Sequence, residues 1–200
     1  MSLRCLLVAN RGASFIIARM NVPHHNTHLI VPYDSAIAGD LAAVTAIYDD
    51  HVRHGTGSFE ITPPDVAEMR SRFAALEASG HPIMLVKDRE TGAVLGFGYA
   101  GPHKARAAYN HTVEDSVYLR SDVAGKGIGR ALLARLIAES KACGFEQMMA
   151  VIGDSENLAS INLHRSLGFV EVGVARNVGF KFGRYLDVVF MQLDMTAGKD

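Results

Sequence analysis

From about residue 28 to residue 195 the chain alternates between strand-like and helix-like segments, and this alternation limits the folds it can adopt. The clearest helix covers residues 127–143, where apolar residues recur on one face every three or four positions. Residues 83–86 and 94–99 have the pattern of two strands joined by a turn, which predicts a hairpin. The full predicted order is β-α-α-β-β-β-α-β-α-β-β. We therefore expect an α/β fold in which a mixed sheet carries helices on both faces.

Local signals give the boundaries of these segments. The predicted strands are 29–31, 83–86, 94–99, 112–119, 148–152, 169–174 and 186–193. The first helix is predicted to begin at Asp34-Ser35 and to carry Ile37 on its apolar face, and the second opens at Pro63-Pro64-Asp65. The last helix is predicted over Ser155–Leu167.

Length and composition exclude several classes of protein. A chain of 200 residues with two cysteines can form one domain without a disulfide framework or a four-cysteine zinc site. The net charge of −1 argues against a general nucleic-acid binder, and no apolar run reaches the roughly 20 residues of a membrane span. We expect the domain to cover 28–196 and to act in the cytoplasm. Residues 1–27 are expected to be an extension: a non-native start, a targeting segment or an extra packed element. The beginning of the chain is basic and lacks acidic residues, which would suit a targeting segment.

A glycine-rich loop between a predicted strand and the clearest helix indicates an anion site. Glycines at 125, 127 and 129 allow close approach of a ligand, and the start of the helix adds free amides and a positive dipole end. Lys126 and Arg130 would add charge. The spacing fits neither a P-loop nor a dinucleotide fingerprint. The alternative is a turn that only caps a helix.

The same loop resembles the acetyl-CoA loop of the GCN5-related N-acetyltransferase (GNAT) superfamily. Gly127 and Gly129 match the family's Gln/Arg-x-x-Gly-x-Gly/Ala pattern, whereas Ala124 stands at its first position. The segment 157–169 resembles a second family block, in which the Asn contacts the pantetheine arm. His164 occupies the position where many members have a tyrosine as general acid. The resemblance implies a GNAT fold with a mostly antiparallel central sheet and acetyl-CoA as cosubstrate.

Three further segments, 101–109, 112–118 and 178–183, resemble the phosphinothricin and methionine sulfoximine acetyltransferases. This narrower resemblance implies direct acetylation of the α-amine of a small amino-acid-like substrate, and a homodimer. We expect neither nucleic acid nor membrane as a partner. Two alternatives stay open: acetylation of another small amine or of a protein N-terminus, and a non-catalytic acyl-CoA-binding module.

The resemblance also implies roles for individual residues. The expected catalytic residues are Glu114 as general base and Tyr118 or His164 as proton donor. The expected cofactor-binding residues are Val117, Leu119, Gly125, Lys126, Gly127, Ile128, Gly129, Arg130, Asn157 and Ser160. The expected substrate-binding residues are Phe59, Tyr99, Lys104, Arg106, Val151 and Lys181.

Each of these residues also has a purely structural interpretation. Glu114 could pair with solvent or a basic residue, His164 could serve packing alone, and a Lys-x-Arg pair is usually a solvated loop. We predict no metal site, because the histidines at 24, 25 and 28 and those at 51 and 54 lack the partners of a metal cluster. Cys143, at the end of a helix, is expected to be a buried small hydrophobe.

Overall fold

A computed structural model describes residues 27–196 of the chain. The strands of this part are β1 (His28–Pro32), β2 (Ile83–Asp88), β3 (Val94–Pro102), β4 (Thr112–Leu119), β5 (Gln147–Gly153), β6 (Val170–Lys181) and β7 (Arg184–Asp194). The helices are α1 (Asp40–His54), α2 (Val66–Ala78), α3 (Ile128–Ala142) and α4 (Leu158–Arg165), with short 3-10 helices at Ala107–Tyr109 and Ser121–Val123. The predicted order of elements is confirmed. The predicted extension lies, up to residue 26, outside the described residues.

The strands form one seven-stranded sheet in the order β1-β2-β3-β4-β5-β7-β6. All neighbouring pairs are antiparallel except β4 and β5, which are parallel. These two strands pair only between residues 112–114 and residues 147–149. Beyond those positions they have no ladder bonds to each other, so the sheet opens between them.

The helices cover both faces of the sheet, as predicted. Along β2 the side chains alternate, so that Met84 faces one apolar core and Leu85 faces the other. Helices α3 and α4 close the first core, where Leu132 is fully buried. Helices α1 and α2 close the second, where Val44 and Phe73 pack. The sheet therefore lies between two separate apolar cores.

The first helix begins later than predicted, and its expected cap at Asp34-Ser35 is wrong. The carboxylate of Asp34 accepts a hydrogen bond from the amide of Ala36, and its carbonyl accepts one from Ile37. These bonds close a separate turn, and Gly39, at φ 92°, then starts α1. Ile37 is consequently exposed and does not join the core.

The ends of other elements also differ from the prediction. Helix α4 begins at Leu158 because the side chain of Asn157 accepts a hydrogen bond from the amide of Ser160 and caps it. Strand β6 continues to Lys181, where a tight turn returns the chain into β7.

Two smaller expectations concern Cys143 and a membrane span. Cys143 is exposed at the end of α3, so the expectation that it is buried is wrong. Partial burial and the neighbouring Glu139 raise the pKa of its thiol, which keeps it in the protonated form. Over residues 27–196 no helix combines the length and apolarity that a bilayer span needs.

Replacing Leu132 by alanine should destabilise the fold, because this side chain is fully buried under the sheet. The expected loss in the free energy of unfolding is about 2–5 kcal/mol. Urea denaturation measures it, and Ile37→Ala, at an exposed position, is the matched control. Equal losses for both variants would contradict the assignment of the core.

Candidate active site

The divergence of β4 from β5 creates a cleft of about 1100 Å³. One wall is the backbone of residues 115–119, which pairs with β3 on its other side. Residues 150–153 of β5 form the opposite wall. Peptide groups that face the opening have no strand partner there, so an extended ligand with amide groups can bind between the walls.

The glycine-rich loop closes one end of this cleft. Gly125 and Gly127 lie in the left-handed region, at φ 76° and 78°, which side chains rarely adopt. Together with Gly129 and Arg130 they line the cleft where α3 begins. The first amides of a helix have no helical carbonyl to bind, so this end can receive an anion.

Two predicted members of the loop, Lys126 and Ile128, do not line the cleft. The Lys126 ammonium donates a hydrogen bond to the carbonyl of Asp122, 3.1 Å away, and does not line the cleft. The side chain of Ile128 is buried in the first apolar core. Opposite the loop, Asn157 and Ser160 at the start of α4 do line the cleft, as do Val117, Leu119 and Val151.

Glu114 lies at the last position where β4 and β5 pair, and it is partly buried. Its Oε2 is 3.1 Å from Nδ1 of His103. Burial raises the pKa of Glu114 above its ordinary value, while the His103 hydrogen bond opposes the shift and the charge of Asp115 adds to it. A carboxylate with a raised pKa is suited to accept a proton near neutral pH.

The next residue, Asp115, faces the opposite side of β4 and pairs with His164. The Nε2 of His164 is 3.0 Å from Asp115 Oδ2, and its Nδ1 is 2.7 Å from the carbonyl oxygen of Ser160. Burial lowers the pKa of His164, but the bond and charge of Asp115 and the Ser160 carbonyl outweigh this and raise it. Both ring nitrogens of His164 are therefore occupied by protein acceptors.

Tyr118 also lines the cleft, within an aromatic cluster. Its ring packs edge-on against Tyr48 at 4.9 Å and lies 5.2 Å from Phe97. Burial raises the pKa of Tyr118 well above its ordinary value, with Tyr99 and Tyr48 as further causes. The phenol therefore keeps its proton and is a weaker acid than an exposed tyrosine.

The segment 55–60 between α1 and α2 covers the cleft, and Lys181 holds it in place. The buried Lys181 ammonium donates to the carbonyls of Gly55 at 2.8 Å and Ser58 at 2.6 Å. Burial lowers the pKa of Lys181, and Glu60 opposes the shift. Lys181 thus lies behind the cleft wall and does not line the cleft.

Phe59 lines the cleft, and its ring packs against the backbone of two glycines. Its ring lies so close to Gly153 and Gly179 that a Cβ at either position would collide with it. Glu60 accepts hydrogen bonds from Tyr48 at 3.0 Å and from Arg72 at 2.6 Å. The segment 55–60 is thereby fixed at several points.

A second cavity, of about 380 Å³, meets the cleft at Glu114 and Ser116. Tyr99 and Arg72 line this second cavity, and Tyr99 does not reach the main cleft. The structure does not bring Lys104 and Arg106 to either cavity. The ammonium of Lys104 lies 5.3 Å above the ring of Tyr109.

Sequence reasoning assigned no role to several residues of this site. His103 lies within a segment that carried the resemblance, yet no local sequence pattern predicts its contact with Glu114 on the next strand. His51 also lines the cleft, and its Nε2 is 2.7 Å from the carbonyl oxygen of Leu119. Its helical spacing from His54 suggested only a metal pair. In the part of the chain that the structure describes, no group of three His, Cys, Asp or Glu residues could hold a metal ion.

The Lys181→Met substitution should release the segment 55–60, because it removes the donor for two loop carbonyls while keeping an apolar side chain of similar length. Amide hydrogen exchange in this segment should become faster by about tenfold or more. Exchange measured by mass spectrometry tests this, with Lys104→Met at an exposed position as control. Unchanged exchange in Lys181→Met would show that the other contacts suffice.

Comparison with known proteins agrees with this geometry. Residues 44–169 match the acetyltransferase (GNAT) family. The chain is 50% identical over 159 residues to a phosphinothricin N-acetyltransferase of Alcaligenes faecalis, covering 80% of both chains. It is 43% identical over 162 residues to an L-methionine sulfoximine/L-methionine sulfone acetyltransferase of Pseudomonas paraeruginosa, covering 81% of this chain and 92% of the relative.

A solved structure shows the same fold with the cosubstrate. It is a GNAT superfamily phosphinothricin acetyltransferase from Sinorhizobium meliloti in complex with acetyl-CoA, with a TM-score of 0.79 and 44% identity. The match covers 84% of this chain and 88% of that one. The chain therefore belongs to the GNAT family of acetyltransferases, enzymes that use acetyl-CoA as cosubstrate.

Proposed function

We propose that this enzyme acetylates the α-amine of a small amino-acid-like substrate, such as phosphinothricin or methionine sulfoximine, with Glu114 as general base. The observation that carries the proposal is the position of Glu114. This partly buried carboxylate lies where the cleft meets the second cavity, and burial raises its pKa. The names of the relatives support the substrate class.

The cleft fits acetyl-CoA in shape and in chemistry. The unpaired backbone beside Val117 would bind the pantetheine amides, and Asn157 and Ser160 line the facing wall. The loop at Gly125–Gly129, with Arg130, would hold the pyrophosphate at the start of α3. Bound acetyl-CoA would supply the acetyl group as an activated thioester.

The chain's own task is to move protons. An α-amine is mostly protonated at pH 7 and attacks only when neutral, so Glu114 removes a proton from it. Transfer is direct in this proposal, since among the described residues that line the cleft there is no cysteine to accept the acetyl group. Tyr118 and His164 stay the candidates for protonating the departing thiolate. Of these two, His164 is hydrogen-bonded to the carboxylate of Asp115, whereas no carboxylate bond is found for the Tyr118 hydroxyl among the described residues.

The substrate's carboxylate requires a cation. Lys104 and Arg106 stay the proposed ligands because their segment resembles that of the relatives; they line neither cavity, but they closely follow His103, which contacts Glu114. Phe59, Val151 and Tyr99 would give apolar contacts. Lys181 would act on the substrate indirectly, through the segment 55–60. The expected site of action stays the cytoplasm.

Glu114→Gln should abolish most turnover while leaving the cleft intact. The expected loss in kcat is on the order of 100- to 10,000-fold, the usual contribution of general base catalysis. Release of CoA thiol from acetyl-CoA measures it across a panel of phosphinothricin, methionine sulfoximine, other small amines and N-terminal peptides. The proposal is supported if the wild type acetylates phosphinothricin and methionine sulfoximine and the Glu114→Gln variant does not. Acetyl-CoA binding without turnover of any amine would favour a binding module.

The pH profile of kcat gives a separate test. Glu114 is active as the carboxylate, so kcat should fall as the pH drops through its pKa. Because burial raises this pKa, the fall should begin at a higher pH than for an exposed glutamate. Measurement at saturating concentrations of both substrates reports ionisations of the bound complex. A profile that is flat down to pH 4 would contradict the assignment.

We further propose that the enzyme is a homodimer in which strand β6 contributes to the interface. This strand lies at the edge of the sheet and exposes the apolar side chains of Val170, Val172, Val178 and Phe180. An exposed apolar edge strand is a liability unless it is covered. A second copy of the chain would cover it.

Phe180→Glu should therefore shift the protein from dimer to monomer, since it places a charge on this apolar edge. Size-exclusion chromatography with light scattering measures the mass. Ile37→Glu, at another exposed apolar position, is the control and should stay dimeric. A monomeric wild type would refute the proposal.

A further inference from the structure

His103 is placed to control Glu114, although nothing in the predicted chemistry used it. Its Nδ1 lies 3.1 Å from Glu114 Oε2, and its side chain is only 13% exposed. Since a carboxylate oxygen can only accept from a neighbouring N–H, His103 donates this hydrogen bond from Nδ1. Among the described residues, His103 is the side chain that hydrogen-bonds Glu114.

The antiparallel register of β3 and β4 creates this contact. Gly101 lies opposite Glu114, and Pro102 lies opposite Val113, so the chain leaves β3 directly beside the carboxylate. The amide of His103 still reaches the carbonyl of Thr112 at 3.5 Å. The contact therefore depends on the strand pairing that immediately precedes His103.

The imidazole ring of His103 also packs against an aromatic side chain. Tyr109, in the 3-10 helix after β3, packs against it at 5.8 Å in an edge-to-face arrangement. The Lys104 ammonium in turn lies over the Tyr109 ring, 5.3 Å from its centre. The orientation of His103 is thus set by packing as well as by its hydrogen bond.

We propose that His103 is a positioning residue for the acetyl transfer: it fixes one oxygen of Glu114, directs the other to the amine, and stabilises the charged base. This inference rests on the proposed role of Glu114. A donor on Oε2 leaves Oε1 to receive the proton.

The charges around Glu114 give the direction of the effect. Burial raises the pKa of Glu114, the hydrogen bond and charge of His103 lower it, and Asp115 raises it. Asp115 is on the opposite face of β4 and is itself paired with His164. The other ionisable neighbours are Tyr99 on β3, together with the ion pair of Glu60 and Arg72 across the two cavities. Loss of His103 therefore removes the interactions that lower the pKa of Glu114, so burial and Asp115 should raise this pKa further.

His103→Phe keeps a planar ring but removes the donor. The acid limb of the kcat profile should then move up by about one pH unit, with kcat on the plateau reduced severalfold or less. His103→Asn keeps an N–H near the position of Nδ1 and should restore the limb to its wild-type position. His81→Phe is the control, because His81 stacks on Phe145 and lines neither cavity. An unmoved limb in His103→Phe, or an equal shift in His81→Phe, would overturn the proposal.

Nitrogen NMR of the histidine rings gives a readout that needs no turnover. In the wild type the neutral His103 ring should carry its proton on Nδ1, whereas in Glu114→Leu it should carry it mainly on Nε2. A wild-type ring protonated on Nε2 would overturn the contact even if His103→Phe fails to fold. If Glu114→Gln keeps full activity, the proposed function fails, while the NMR result still decides whether His103 donates to Glu114.

Discussion

The short parallel pairing of β4 and β5 is the constraint on which the site depends. The two strands share three paired positions, and Glu114 is the last of them. Above it their backbones separate and become the walls of the cleft. The candidate base is therefore held by the rigid end of the sheet, while the groups that would bind an extended cosubstrate belong to the open end. One irregularity in strand pairing places both functions within a few residues.

The pleat of β4 keeps two adjacent carboxylates apart. Both residues line the cleft, but only Glu114 also reaches the second cavity, whereas the side chain of Asp115 pairs with His164 on α4. Each carboxylate meets a different histidine, His103 in one case and His164 in the other. Like charges on consecutive residues would otherwise disfavour ionisation of both. The alternation of a strand thus leaves one carboxylate partly exposed while its neighbour is buried and paired.

The elements of the fold and the backbone parts of the site follow from local sequence patterns. The glycine-rich loop, Val117 and Glu114 are close in the chain, so a strand followed by a helix is enough to bring them together. His103 is different, because its contact depends on the register between two strands. The buried ammonium of Lys181 binds carbonyls more than 120 residues earlier, at Gly55 and Ser58, which periodicity does not encode. The side chain of Ile128 faces the core, as the apolar periodicity of α3 predicts.

The seat of Phe59 has a consequence for how this family of sequences can change. Gly153 ends β5 and Gly179 lies in β6, and both strands leave just enough room for one aromatic ring. A methyl group at either glycine would displace the ring and the whole segment 55–60 with it. A smaller side chain at position 59 would make room for alanine at position 179, whereas a Cβ at position 153 would still collide with the backbone carbonyl of Thr56. Positions 59 and 179, far apart in the chain, can therefore vary only together, and their joint variation would change the width of the cleft.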